Sequence, residues 1–144
     1  MAAIVRRPAV LLIAFAGTLA AQQSKAIYQQ VGYVANALTS GNAADAMTPI
    51  DKSLDGYARL QDYFVALVGS YQVLNQIQIM DEDIQQKEAT LTVHWELTLN
   101  DAATALSQTR EQDIVVKLSF RKYKWRIVGI SPLEFFNPQI EKSK

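Results

Sequence analysis

The sequence predicts an α+β fold: three N-terminal helices packed on one face of a curved antiparallel sheet of about four strands. Three observations predict it. Apolar residues recur at helical spacing through the first half of the chain, as far as Val68. From Tyr71 the period changes to two and holds as far as Ser131. The breaks between the alternating runs are short or polar, so consecutive strands pair as antiparallel hairpins.

The first helix is read over Gln22–Ser40. Ile27, Val31, Val34 and Leu38 fall at spacings of four, three and four, and Tyr28 and Ala35 widen that stripe. Ser24 suits its N-cap and Gly41 its C′ position. Asn42 can cap a second helix, Ala43–Thr48, with Asp45 favourable in its first turn and Pro49 as its stop. After a turn-rich connector, Asp51–Asp55, the third helix covers Gly56–Val68, with Tyr57, Leu60, Phe64, Leu67 and Val68 on its buried side and Gly69 closing it.

Tyr71–Met80 is the first strand, with Val73, Ile77 and Ile79 opposed to Gln72, Gln76 and Gln78. Asp81-Glu82-Asp83 reads as a charged turn. Glu88–Asn100 is the clearest strand: Ala89, Leu91, Val93, Trp95, Leu97 and Leu99 share one face, and Thr90, Thr92, His94, Glu96 and Thr98 share the other. Asn100–Thr109 reads as a polar loop. The hairpin Glu111–Pro132 follows: strand Gln112–Phe120, a basic aromatic turn Arg121–Lys124, and strand Trp125–Ser131. Its inward set is Ile114, Val116, Leu118, Phe120, Trp125 and Ile127. Phe135 and Phe136, beyond Pro132, are available to cover an edge or an open end. Residues 139–144 read as a flexible tail.

A chain of 144 residues is one domain's worth. Its formal net charge is zero, so it offers no basic field for nucleic acid. It has no cysteine and one histidine, which leaves no disulfide framework, thiol nucleophile or customary zinc set, and no cofactor motif is visible. Arg6-Arg7, the apolar run Ala9–Gly17 and the small residues at Thr18-Leu19-Ala20 follow the order of a cleavable signal peptide, residues 1–20, cut after Ala20. The apolar run is shorter than the roughly 20 residues of a membrane span. The domain then occupies residues 22–138, periplasmic or secreted, with no membrane contact after cleavage.

The step GNAADAM (Gly41–Met47), the DYF of the third helix (Asp62–Phe64) and the terminal strand KWRIV (Lys124–Val128) resemble the nuclear transport factor 2-like superfamily. This is the cystatin-like, cone-shaped fold shared by ketosteroid isomerase, scytalone dehydratase and SnoaL-type polyketide cyclases. The resemblance implies an apolar pocket between sheet and helices and a dimer formed through the sheet. It also implies that a catalytic member would carry an inward acid or base, Asp or His, opposite a Tyr or second carboxylate.

His94 shares strand parity with the threonines, so it points away from such a pocket and is no general base there. Asp45 reads as a capping residue, Asp62 as solvated, and Asp81-Glu82-Asp83 lacks the spacing of a calcium loop. The candidates for lining a ligand pocket are Tyr28, Tyr57, Tyr63, Phe64, Trp95, Phe120 and Trp125. The candidates for a dimer face are Thr92, His94, Glu96, Lys117, Ser119 and Arg121, with Val115, Val128 and Ile130 interrupting its polarity. No residue set forms a catalytic or metal signature. The expected function is therefore an exported, non-enzymatic domain that binds a small apolar ligand or a protein partner through its cone or sheet, as a homodimer. A lyase or isomerase with a titratable group on a helix, such as Asp62 with Tyr63, is the alternative. A membrane-anchored accessory domain of an envelope complex is a third reading.

Overall fold

The computed structural model describes the backbone of residues 2–139 and the side chains of residues 21–139. Helix α1 (Ala2–Thr39) is followed by a short α2 (Ala43–Ala46) and by α3 (Tyr57–Ser70). Strands β1 (Gln72–Ile84), β2 (Glu88–Asp101), β3 (Leu106–Arg121) and β4 (Lys124–Ser131) form one antiparallel sheet in sequence order. A 3₁₀ turn, Leu133–Phe136, ends the fold. The three helices pack on one face of this open sheet.

The first correction concerns α1. It continues through residues 2–21, so Ser24 lies inside the helix and caps nothing. The alanine- and leucine-rich segment before it has high helix propensity, and nothing after Gly17 breaks the turn. The proposed signal segment is thus helical in its backbone; its side chains lie outside the described residues, as do residues 140–144 of the expected tail.

The predicted stripe does the packing: Ile27, Val31, Val34 and Leu38 are all buried. The end of α1 is a Schellman motif. Gly41, at φ +77°, donates to the Leu38 carbonyl, and Asn42 donates to that of Ala37. Asn42 then caps α2 as expected, accepting from the Asp45 N–H at 2.9 Å and donating to the Asp45 carboxylate at 3.0 Å. The α2 helix closes two residues early. Pro49, Ile50 and Asp51 instead run beside β4, with Ile127 donating to the Pro49 carbonyl and Asp51 donating back to that of Ile127. Gly56 begins α3 at φ +84°, and a Cβ there would meet Leu133 Cδ2 at 2.7 Å. Gly69 does not close α3. It sits in the last helical turn, and the extended backbone of Tyr71 ends the helix.

Two segments read as turn and loop are strand. Asp81, Glu82 and Asp83 pair with Thr92, Leu91 and Thr90 beyond a bulge at Met80. An edge strand tolerates charge, because one of its sides faces water. Leu106–Thr109 extend β3 and pair with Asp101–Thr98, which reduces the expected loop to residues 102–105. Backbone pairing to the long β2 supplies hydrogen bonds that the polar side chains of this stretch do not advertise. Register shifts at Ile79/Asp81 and Lys117/Leu118 add curvature to the sheet.

Candidate functional site

The inner face of the sheet is closed by its own aromatic rings. Phe136 stands edge-on to Phe64 at 5.4 Å, to Trp95 at 5.1 Å and to Phe135 at 5.1 Å. Phe64 and Phe136 have no exposed surface, and Trp95 has almost none. The Trp95 indole N–H donates to Asn75 Oδ1 at 2.8 Å, and Asn75 in turn donates to the Thr39 hydroxyl at 3.1 Å, so the buried polar atom is satisfied.

Arg110 holds the plug in place. Its guanidinium donates to the carbonyls of Phe135 at 2.9 Å, Asn137 at 2.7 Å and Pro138 at 3.1 Å. It is the single buried charged side chain among the described residues. Arg110 falls between the expected loop, Asn100–Thr109, and the expected hairpin, Glu111–Pro132, so the sequence pattern assigns it no role. Its parity was legible: counting back in twos from inward Ile114 arrives at Arg110, opposite Leu97.

The seven pocket-lining candidates are not gathered into one cavity. Phe64 and Trp95 meet through Phe136. Phe120 and Trp125 form a separate pair, 5.5 Å apart, beside Gln22 and Gln23 of α1. Phe120 is on the inner parity but is 37 % exposed, which corrects its placement in the core; it borders the grooves that separate α1 from the β3–β4 hairpin. Tyr28, Tyr57 and Tyr63 are half-buried at the margin of the core. Asp62 is exposed, and Asp45 is engaged in the cap of α2.

The outer face carries the histidine, as parity predicts. His94 Nδ1 lies 2.8 Å from Asp113 Oδ1, and Nε2 lies 3.1 Å from Glu111 Oε1. Both ring nitrogens can donate together only in the imidazolium form. The Asp113 and Glu111 carboxylates accordingly raise the His94 pKa above its usual value, through hydrogen bonds first and charge second. Among the dimer-face candidates, Thr92, His94 and Glu96 are adjacent on β2, facing Val115, Asp113 and Glu111. Lys117 and Ser119 pair with Thr90 and Glu88 instead. Arg121 leaves the face. It bonds Asp51 Oδ2 at 3.0 Å and the Ser53 hydroxyl at 3.2 Å. The Ser53 hydroxyl and N–H, followed by the guanidiniums of Arg121 and Arg126, hold the Asp51 carboxyl below the usual range.

Grooves flank these surfaces. One of about 550 Å³ runs along the β4 edge between Val115, Lys117, Val128 and Ile130 and the Arg59–Glu134 ion pair. A second, about 470 Å³, lies between Ala26, Gln30 and Tyr33 of α1 and the β3–β4 hairpin. A third, about 480 Å³, is rimmed by Arg121, Lys122, Lys124, Arg126 and Asp51. Among the described residues no cluster of three or more histidine or carboxylate side chains could hold a metal ion.

Solved structures share this architecture. A conserved protein from Planctomyces limnophilus superposes with a TM-score of 0.71 at 7 % identity, over 76 % of this chain and 93 % of that one. The fold is nuclear transport factor 2-like. A protein of that name with a cystatin-like fold, from Novosphingobium aromaticivorans, matches with a TM-score of 0.64 at 14 % identity, over 81 % and 84 % of the two chains. A nuclear transport factor 2-like superfamily protein from Salmonella enterica matches with a TM-score of 0.61 at 9 % identity, over 78 % and 89 %. No protein-family model matches the sequence. No curated protein matches it either. At these identities the likeness defines the nuclear transport factor 2-like fold and carries no activity with it.

Proposed function

We propose that the chain is an exported, non-enzymatic binding module that acts as a homodimer and engages a protein partner through its sheet, not a ligand within its cone. One observation carries this reading: the volume between sheet and helices is occupied by Phe136 and its aromatic neighbours, with Arg110 fastening the plug. Proton-transfer chemistry in this fold needs an inward acid or base of shifted pKa. The buried set holds neither a carboxylate nor an imidazole among the described residues. The outer face favours self-association. Val115 and Val128 are half-buried there, and the carboxylates of Glu96, Glu111 and Asp113 are offset from Lys117, so a twofold pairing can join unlike charges; Ile130, expected on this face, is turned inward opposite Val116 by the register shift in β3–β4 and packs against the core. Export rests on the ordering of residues 1–20 alone.

Native mass spectrometry of the protein purified from its own envelope tests the proposal. The expected species is a dimer of processed chains without a small-molecule adduct. A stoichiometric apolar ligand would overturn the closed-cone reading, and an intact N-terminus would favour the anchored one.

A further inference from the structure

One end of the domain gathers features that the sheet-mediated reading leaves unused. The β3–β4 turn places Lys122 and Tyr123 in the left-handed region, at φ +52° and +67°. That geometry suits Asn-Gly and is costly for a lysine and a tyrosine, and such strain concentrates at functional positions. Tyr123 is 94 % exposed. Lys124 follows it, and Lys87 stands on the neighbouring β1–β2 turn, whose backbone carbonyl accepts from the Phe120 N–H. None of these three lysines makes an ion pair among the described residues, whereas Arg121 and Arg126 are occupied by Asp51, Thr48 and Ile50. Glu88 is the exposed carboxylate nearest Lys87 in sequence.

Helix α1 enters the domain at the same end. Gln22 and Gln23 share a groove with Phe120, Trp125 and Gln86, and Gln23 donates to the Gln85 carbonyl at 3.4 Å. The chain before residue 22, with its apolar run Ala9–Gly17, therefore leads away from the tip that carries the lysines and Tyr123. Cleavage after Ala20 would leave a free ammonium there. Retention would leave an apolar segment. Both add to the same chemistry.

We propose that this end docks on an anionic phospholipid bilayer, with Lys87, Lys122 and Lys124 against the headgroups and Tyr123 at the interface. Lysines near such a surface and a tyrosine at the headgroup level are the groups that favour this contact. The proposal adds a peripheral contact to a chain whose sequence leads one to expect no membrane contact after cleavage.

The test is sedimentation of the full chain with phosphatidylglycerol-containing and with pure phosphatidylcholine vesicles, comparing wild type with Lys122→Glu/Lys124→Glu, Lys87→Glu and Tyr123→Ser. Wild type is expected to prefer the anionic vesicles, with the preference fading as salt rises. The double charge reversal should lower that preference by at least about tenfold, Lys87→Glu by severalfold, and Tyr123→Ser should weaken binding to both vesicles. Lys87 lies on a different hairpin, so a local distortion of the β3–β4 turn would not account for its effect. Equal binding of wild type and the charge variants overturns the proposal, since the apolar run alone would then suffice. Displacement of the protein from vesicles by millimolar inorganic phosphate also overturns it, in favour of a small-anion site.

Discussion

Trp95 and His94 are sequence neighbours on β2 that live in opposite conditions. On the inner face, Trp95 is enclosed by Phe136, and its one polar atom has one partner, Asn75. On the outer face, His94 stands between two exposed carboxylates that change its charge preference but not its surroundings. The same backbone thus carries a dry face, where removing atoms leaves a cavity, and a wet face, where removing charges changes little. Most of the stability belongs to the first, and the sensitivity to pH and salt to the second.

That contrast can be broken or sharpened by graded substitutions. Phe136→Ala should be the most damaging. It empties the centre of the aromatic cluster and should cost about 3–5 kcal/mol in chemical denaturation, with a matching fall in Tm. A loss below about 1 kcal/mol would mean that the cone accommodates a void, and would reopen the case for a ligand pocket.

Arg110→Met comes next. It deletes charge-assisted bonds to three tail carbonyls and should cost about 2–3 kcal/mol. Amide exchange at residues 133–139 should quicken well before the rest of the sheet responds; uniform quickening would show that Arg110 supports the whole core. Asn42→Ala should cost about 1 kcal/mol, by leaving the α2 N-terminus uncapped.

The outer face should give the smallest effect, and a pH-dependent one. The folded-state pKa of His94 is raised above 6.5, so protonation favours the folded chain. That contribution is complete below pH 6.5 and fades as pH rises through the raised folded value. His94→Gln should flatten the Tm profile in this window and leave the acid side unchanged apart from a uniform offset. Superimposable profiles would show that the histidine is only solvated.

The sequence by itself determined the elements whose reasons are local. The stripe Ile27–Leu38, the Gly41–Asn42 junction and the strict alternation of β2 each follow from side chains a few residues apart, and all are where the pattern puts them. The tertiary structure decided the rest. Asp81–Asp83 and Leu106–Thr109 are strand because β2 offers them a ladder, which no property of those short polar stretches reveals. Phe120 has inward parity yet stays exposed, because a groove between α1 and the β3–β4 hairpin opens beside it. Arg110 is buried because the chain returns some 25 residues later to present three carbonyls to it. Local periodicity encodes which face of an element is apolar. What covers that face depends on contacts between residues far apart in the chain, and these form only in the folded domain.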